Sequence, residues 1–170
     1  MGRAAEGDRG ADRVGERARG RGRPHPRIWV SFRPIVAPTD ELAWEKARQI
    51  LAATEAGIAV NGLGRRRFPG APQNVGSQRL LAVAERGELH DRALWTPLVT
   101  ATGAGGSTTA LVGSYETVAR ALLDYVDIGC ELLSIRGWDP LNDAIDYARY
   151  VLPLVRQELA HRDSTAAVGR

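Results

Sequence analysis

Apolar and polar positions alternate over residues 28–36, Ile-Trp-Val-Ser-Phe-Arg-Pro-Ile-Val, and β-branched and aromatic types dominate, which predicts a strand. Pro34 lacks an N–H and points that strand toward a sheet edge or a bulge. The period then changes. Thr39, Asp40 and Glu41 open a helix whose apolar face is Leu42, Ala43, Ala47, Ile50 and Leu51, running to about Glu55. Residues 57–76 hold no period and read as a loop. Ser77 caps a short helix to Arg86, with Gly87 at its end. Residues 98–102, Leu-Val-Thr-Ala-Thr, read as a strand, and residues 103–109 as a glycine-rich loop. Leu111-Val112-Gly113 leads to Ser114, the cap of a helix over residues 115–128 with Val118, Leu122, Leu123 and Val126 on one face. Residues 131–136 form another strand, and Asp139-Pro140 starts the last helix. That helix runs to about His161, bent or split at Pro153, and residues 163–170 fray. Strands alternating with helices imply βαβ units and a parallel sheet, either a small open one or part of a barrel.

Charge divides the 170-residue chain. Residues 1–27 carry eight Arg against four acids, with six Gly and one large aliphatic residue, Val14. Such a stretch cannot bury enough apolar surface to offset its ordering entropy and is expected to be a disordered tail. It reads as a flexible leader, or as translation from a start codon upstream of the true coding segment. The other 143 residues hold 15 basic and 16 acidic groups, a net charge of −1, so nucleic acid is not an expected partner. No apolar run is long enough to span a membrane. The single cysteine, Cys130, cannot form an internal disulfide, which fits a reducing, cytoplasmic setting.

In parallel α/β folds ligands gather where strands end and helices begin. Three such junctions stand out: Ser31 to Asp40, Gly103 to Ser114, and Arg136 to Asp139. Backbone N–H groups of Gly105-Gly106-Ser107, and those of the helix after Ser114, suit an anion. Arg33 and Arg136 suit phosphate or sulfonate, and Trp138 suits a planar ring. Each also has an ordinary reading as flexible loop, surface ion pair or core cover. His25, His90 and His161 are far apart, and no metal-ligand spacing or Ser-His-Asp arrangement occurs.

Residues 32–44, FRPIVAPTDELAW, residues 105–119, GGSTTALVGSYETVA, and residues 136–144, RGWDPLNDA, resemble successive segments of the luciferase-like flavin-dependent monooxygenases, nearest the alkanesulfonate-cleaving branch. The resemblance runs over about residues 27–160. It implies a TIM (β/α)8 barrel of which this chain holds the C-terminal part, roughly the last three βα units over residues 28–162, because a whole barrel needs about 200 residues or more. It implies reduced FMN from a separate reductase, rather than a deazaflavin coenzyme, and oxygenation of a small organic substrate by O2. The positions where the alkanesulfonate branch places its first-strand Arg and His hold Ser31 and Arg33, the Arg before its Gly-Gly is Ala104, and its late Tyr is Trp138. By this resemblance Ser31, Arg33 and Trp138 are catalytic residues facing the substrate, while Gly105, Gly106, Ser107 and Arg136 bind the flavin cofactor at its phosphate. All seven are expected at one rim, at the strands' carboxyl ends. A homo-oligomer, or a second chain carrying the remaining half, would complete the pocket; the alternative is a non-catalytic fragment or interaction module.

Overall fold

The alternating stretch forms β1 (Trp29–Ala37). In the computed structural model, which describes residues 26–61, 72, 74–105 and 109–168, β1 is followed by α1 (Asp40–Asn61) and α2 (Val75–Ala84). A hairpin of β2 (Leu89–His90) and β3 (Leu94–Trp95) comes next, then α3 (Pro97–Thr102), β4 (Ala110–Ser114) and α4 (Tyr115–Asp127). The chain ends in β5 (Leu132–Ile135), α5 (Pro140–Asp146), a π-helical turn (Tyr147–Val151) and α6 (Leu152–Val168). The Arg-rich tail at residues 1–25 and most of the expected loop, residues 62–71, lie outside the described residues.

The five strands form one sheet in the order β2-β3-β4-β1-β5. β1 runs parallel to β4 and β5, whereas β3 pairs antiparallel with β2 and β4, so the sheet is mixed rather than wholly parallel. The neighbours of β1 are staggered. β5 pairs with Trp29 to Phe32, and β4 pairs with Arg33 to Ala37. This stagger explains why Pro34 does not consign β1 to an edge. Even-numbered residues of β1 bond toward β5, as when Phe32 O accepts from Arg136 N (3.1 Å); odd ones bond toward β4, as when Arg33 N donates to Thr109 O (2.8 Å). Pro34 therefore lacks its donor on the side where β5 has already ended. Its carbonyl, facing the same gap, accepts a 2.6 Å bond from the buried Tyr147 hydroxyl. Burial, then the charges of Asp143 and Asp146, push the Tyr147 phenol well above its ordinary pKa, so it remains a donor.

Helices cover both faces. Phe32 and Val36 pack with Leu111, Val118, Ala119 and Leu122 under α4, joined by Tyr147 and Val151. Ile35 and Val112, on the other face, pack with Ala43 and Ala47 of α1 and with Leu98 of α3. The faces follow from strand order. β1 connects through α1 to β4 on one side, and β4 connects through α4 back across β1 to β5. Right-handed crossovers running in opposite directions must lie on opposite faces. Consecutive barrel units would instead lie in chain order, β1-β4-β5, with every helix outside. The expected run of the last three βα units differs from the observed order in this respect.

Where adjacent strands send their helices to opposite faces, a crevice opens at their carboxyl ends. Here Asp40 fills it. Its carboxylate accepts from Ser114 N (2.6 Å) and from Thr117 Oγ1 (3.3 Å), while Ser114 Oγ caps α4 by accepting from Thr117 N. The anion expected at the start of this helix is thus the protein's own. The bond from the Ser114 amide, opposed by partial desolvation, holds the Asp40 carboxyl below the ordinary carboxylate pKa.

Local rules account for the other departures. Residues 98–102 are helical because Pro97 occupies the first turn and Gly103, at φ 62°, closes it. Thr102 Oγ1 satisfies Leu98 O (2.8 Å), so its β-branched side chain is accommodated there. Asn74, rather than Ser77, caps α2. α6 continues to Val168, past the expected fraying point. Pro153 cannot donate, and the turn ahead of it widens so that Leu152 N reaches Tyr147 O, five residues back.

Tyr147→Phe leaves the Pro34 carbonyl unpaired in the core, an expected loss of about 1–3 kcal/mol by denaturant unfolding. An unchanged midpoint would show that the stagger does not depend on this bond. Because the folded-state pKa of Asp40 is depressed, its contribution is present above about pH 4 and fades as pH falls through the lowered value. Asp40→Asn should therefore melt below wild type at neutral pH, with the gap narrowing toward about pH 2. A gap independent of pH would contradict this role.

Candidate functional site

β1 is central, yet Arg33 projects from it on the α1 side, the same face as Ile35. Its guanidinium lies over the ring of Trp138, 4.8 Å from the centroid. Trp138 packs in the cluster of Ile35, Trp95 and Trp44, and Trp44 meets Trp95 edge-to-face at 6.0 Å. Three of the chain's four tryptophans therefore line the ground beside Arg33.

Two donors in this stack are left over. Arg33 Nε and Trp138 Nε1 are buried, and neither has a hydrogen-bond partner among the described residues. A buried unpaired donor costs about 1–3 kcal/mol. A cation–π contact returns about 0.5–2 kcal/mol, which does not offset two such donors. The arrangement is incomplete by itself and suits a ligand bearing an acceptor oxygen, above all an anionic one.

The turn carrying Trp138 is pinned from below. Asp139 caps α5 by accepting from Leu141 N and Asn142 N, each at 3.2 Å. Its carboxyl is held below the ordinary range, chiefly by the Asn142 side chain. One turn on, Asp143 is buried, and its Oδ2 accepts from Trp138 N (2.7 Å) and Asp139 N (2.9 Å). Its Oδ1 accepts from Lys46 Nζ of α1 at 2.8 Å. Gly137 makes this approach possible, because a Cβ there would stand 2.2 Å from Asp143 Cβ. The sequence offered two signals for this pair: Lys46 is the only lysine in the chain, and Asp143 lies four residues after a cap.

The remaining candidate residues are placed as follows. Ser31 is exposed, two residues back along β1 on the Arg33 face, opposite Ser134. Arg136 is exposed where β5 ends. Gly105 is exposed, with its N–H donating to Thr102 O at 3.2 Å, while Gly106 and Ser107 lie outside the described residues. The glycine loop precedes β4 and so enters at that strand's amino end. This corrects the expectation of a single rim of carboxyl ends. The loop still reaches the level of Arg33, since Thr109 O accepts from Arg33 N, and the stagger brings β5's exit to the same level.

Two open clefts lie elsewhere, between α4 and α6 and between α4 and the β2–β3 hairpin. Ion pairs of Arg92 with Asp124 and of Arg162 with Glu158 and Asp127 occupy their walls. Cys130 is a buried free thiol. Among the described residues no cluster of three or more His, Cys, Asp or Glu could hold a metal, and no helix is long and apolar enough to cross a membrane.

Comparison with known proteins places this geometry in a family. The crystal structure of DmoA from Hyphomicrobium sulfonivorans superposes with a TM-score of 0.52 at 21% identity, covering 78% of this chain. The match spans 30% of the DmoA chain. The model of the luciferase-like monooxygenases matches residues 2–132, starting inside the stretch read as a tail and ending in β5. The chain belongs to the luciferase-like monooxygenase family.

Proposed function

We propose that this chain contributes to a flavin-dependent monooxygenase site in which Arg33 and Trp138 receive the anionic group of a small organic substrate. The observation that carries this reading is the pair of buried, unpartnered donors, Arg33 Nε and Trp138 Nε1, stacked in an aromatic cluster. A sulfonate, as in an alkanesulfonate, satisfies both donors and neutralises Arg33. Ser31, on the same face, supplies a further hydroxyl to the substrate.

The residues also fit reduced FMN. Arg136 is exposed and forms no ion pair among the described residues, so it is available to a phosphate. Gly106 and Ser107, outside the described residues, would add backbone N–H groups to the same anion, whereas Gly105 N–H is already bonded to Thr102 O. The start of α4 is not the phosphate site, since Asp40 occupies it. When bound, the reduced flavin supplies the electrons that let O2 place one oxygen atom on the substrate. The chain's own residues bind, orient and exclude water. A separate reductase would deliver the reduced FMN, and the setting would be cytoplasmic.

A second reading is favoured by coverage, since the match spans 30% of the DmoA chain. In that reading these residues form one part of a larger α/β fold, and a further polypeptide or a second copy completes the pocket. The flavin would then bind weakly to this chain alone, with the anion contact at Arg33 retained.

Calorimetric titration with octanesulfonate, with and without reduced FMN under anaerobic conditions, tests the reading. Arg33→Met should weaken sulfonate binding by about tenfold or more. The same variant, without ligand, should be at least as stable as wild type, because it removes an unpaired buried donor. Equal affinity in Arg33→Met and wild type would overturn the assignment.

A further inference from the structure

Trp138 sits on the turn between β5 and α5, its ring packed in the cluster of Ile35 and Trp95. Beyond Arg136 N, which bonds Phe32 O, the amides of Trp138 and Asp139 are both held by one carboxylate. Asp143 Oδ2 binds the amides of Trp138 and Asp139 together, and Gly137 gives it room. The side chain of Asp143 is 3% exposed, whereas that of Lys46, its partner, is 37% exposed. The charge on Asp143 is therefore balanced from α1, on the face of β1 that carries Arg33. Lys46 lies between Ala43 and Ala47, which pack on Ile35, and near Trp44, which packs in the Trp138 cluster. A path of direct contacts thus runs from α1 through Lys46 and Asp143 to the Trp138 backbone, and from the Trp138 ring to Arg33.

We infer that Lys46 and Asp143 are positioning residues that set the Trp138 ring, and through it the Arg33 guanidinium, for ligand binding. The inference rests on the reading of Arg33 and Trp138 given above, but it makes a claim about the protein without ligand. Removing the ammonium leaves a buried carboxylate without its counter-charge. Without that counter-charge the carboxylate is drawn toward water and loosens its hold on the two amides. The Trp138 ring then leaves the position in which it faces Arg33. Arginine at position 46 keeps the charge and the reach. Methionine keeps the length of the stem and loses the charge.

The test uses the full chain labelled with 5-fluorotryptophan, which gives four fluorine resonances for Trp29, Trp44, Trp95 and Trp138. W138F assigns the Trp138 line. Lys46→Met should shift or broaden that line while the line of Trp29 holds, and Lys46→Arg should restore it. Asp143→Asn should reproduce the Lys46→Met shift. Should Asp143→Asn fail to fold, Lys46→Met still decides the matter, since Lys46 is partly exposed. In parallel, Lys46→Met should weaken octanesulfonate binding about tenfold, with Lys46→Arg close to wild type. An unmoved Trp138 line in folded Lys46→Met overturns the inference. A moved line in a protein whose wild type binds neither octanesulfonate nor reduced FMN upholds the positioning role and overturns the functional reading instead.

Discussion

The handover of hydrogen bonding along β1, from β5 up to Phe32 to β4 from Arg33 onward, is the constraint on which the rest of the structure depends. It lets a proline stand in a central strand, because the donor Pro34 lacks would face the gap past the end of β5. It leaves the Pro34 carbonyl to Tyr147, which ties the π-helical turn to the sheet. It also brings the exit of β5 and the entry of β4 to one level of the sheet, so the Trp138 turn and Thr109 meet Arg33 from opposite neighbours. A sheet with both partners aligned along β1 would have paired Pro34 on its deficient side.

Two places on this scaffold could attract an anion, and they differ in whether the protein has already answered the demand. At the start of α4 the amide of Ser114 and the hydroxyl of Thr117 are satisfied by Asp40. This contact closes the crevice where the crossovers diverge and joins the ends of β1 and β4. At Arg33 no carboxylate among the described residues fills that role. Asp143, buried close by, is committed to Lys46 and to the amides of the turn, so it steadies Trp138 without quenching the guanidinium. Buried donors without acceptors persist in native proteins where function supports them.

Much of this was legible in the sequence, and what was not has physical causes. β1, α4 with its Ser114 cap, and the Asp139-Pro140 start of α5 follow from periodicity and capping chemistry. The hairpin of Leu89–His90 and Leu94–Trp95 was illegible because two-residue strands carry no period. In residues 98–102 the β-branched residues Val99, Thr100 and Thr102 outweighed Pro97 and Gly103 in the reading, whereas in the molecule those flanking residues set a helix. The reversal of strand order around β1 leaves no local trace. Arg33 and Trp138 were visible as residue types, but their contact joins positions 105 residues apart. The Lys46–Asp143 pair, 97 residues apart, was hidden for the same reason.

The chain belongs to the luciferase-like monooxygenases, and the unpaired donors of Arg33 and Trp138 are the feature that most calls for a ligand. The central claim is that the niche between Arg33 and Trp138 is built for an anionic oxygen. A crystal structure of the full chain soaked with methanesulfonate addresses it most directly. The account predicts a sulfonate oxygen about 2.7–3.2 Å from both Arg33 Nε and Trp138 Nε1. A sulfonate seated instead in the cleft between α4 and α6, with Arg33 Nε bonded to an acceptor of the protein itself, would contradict it.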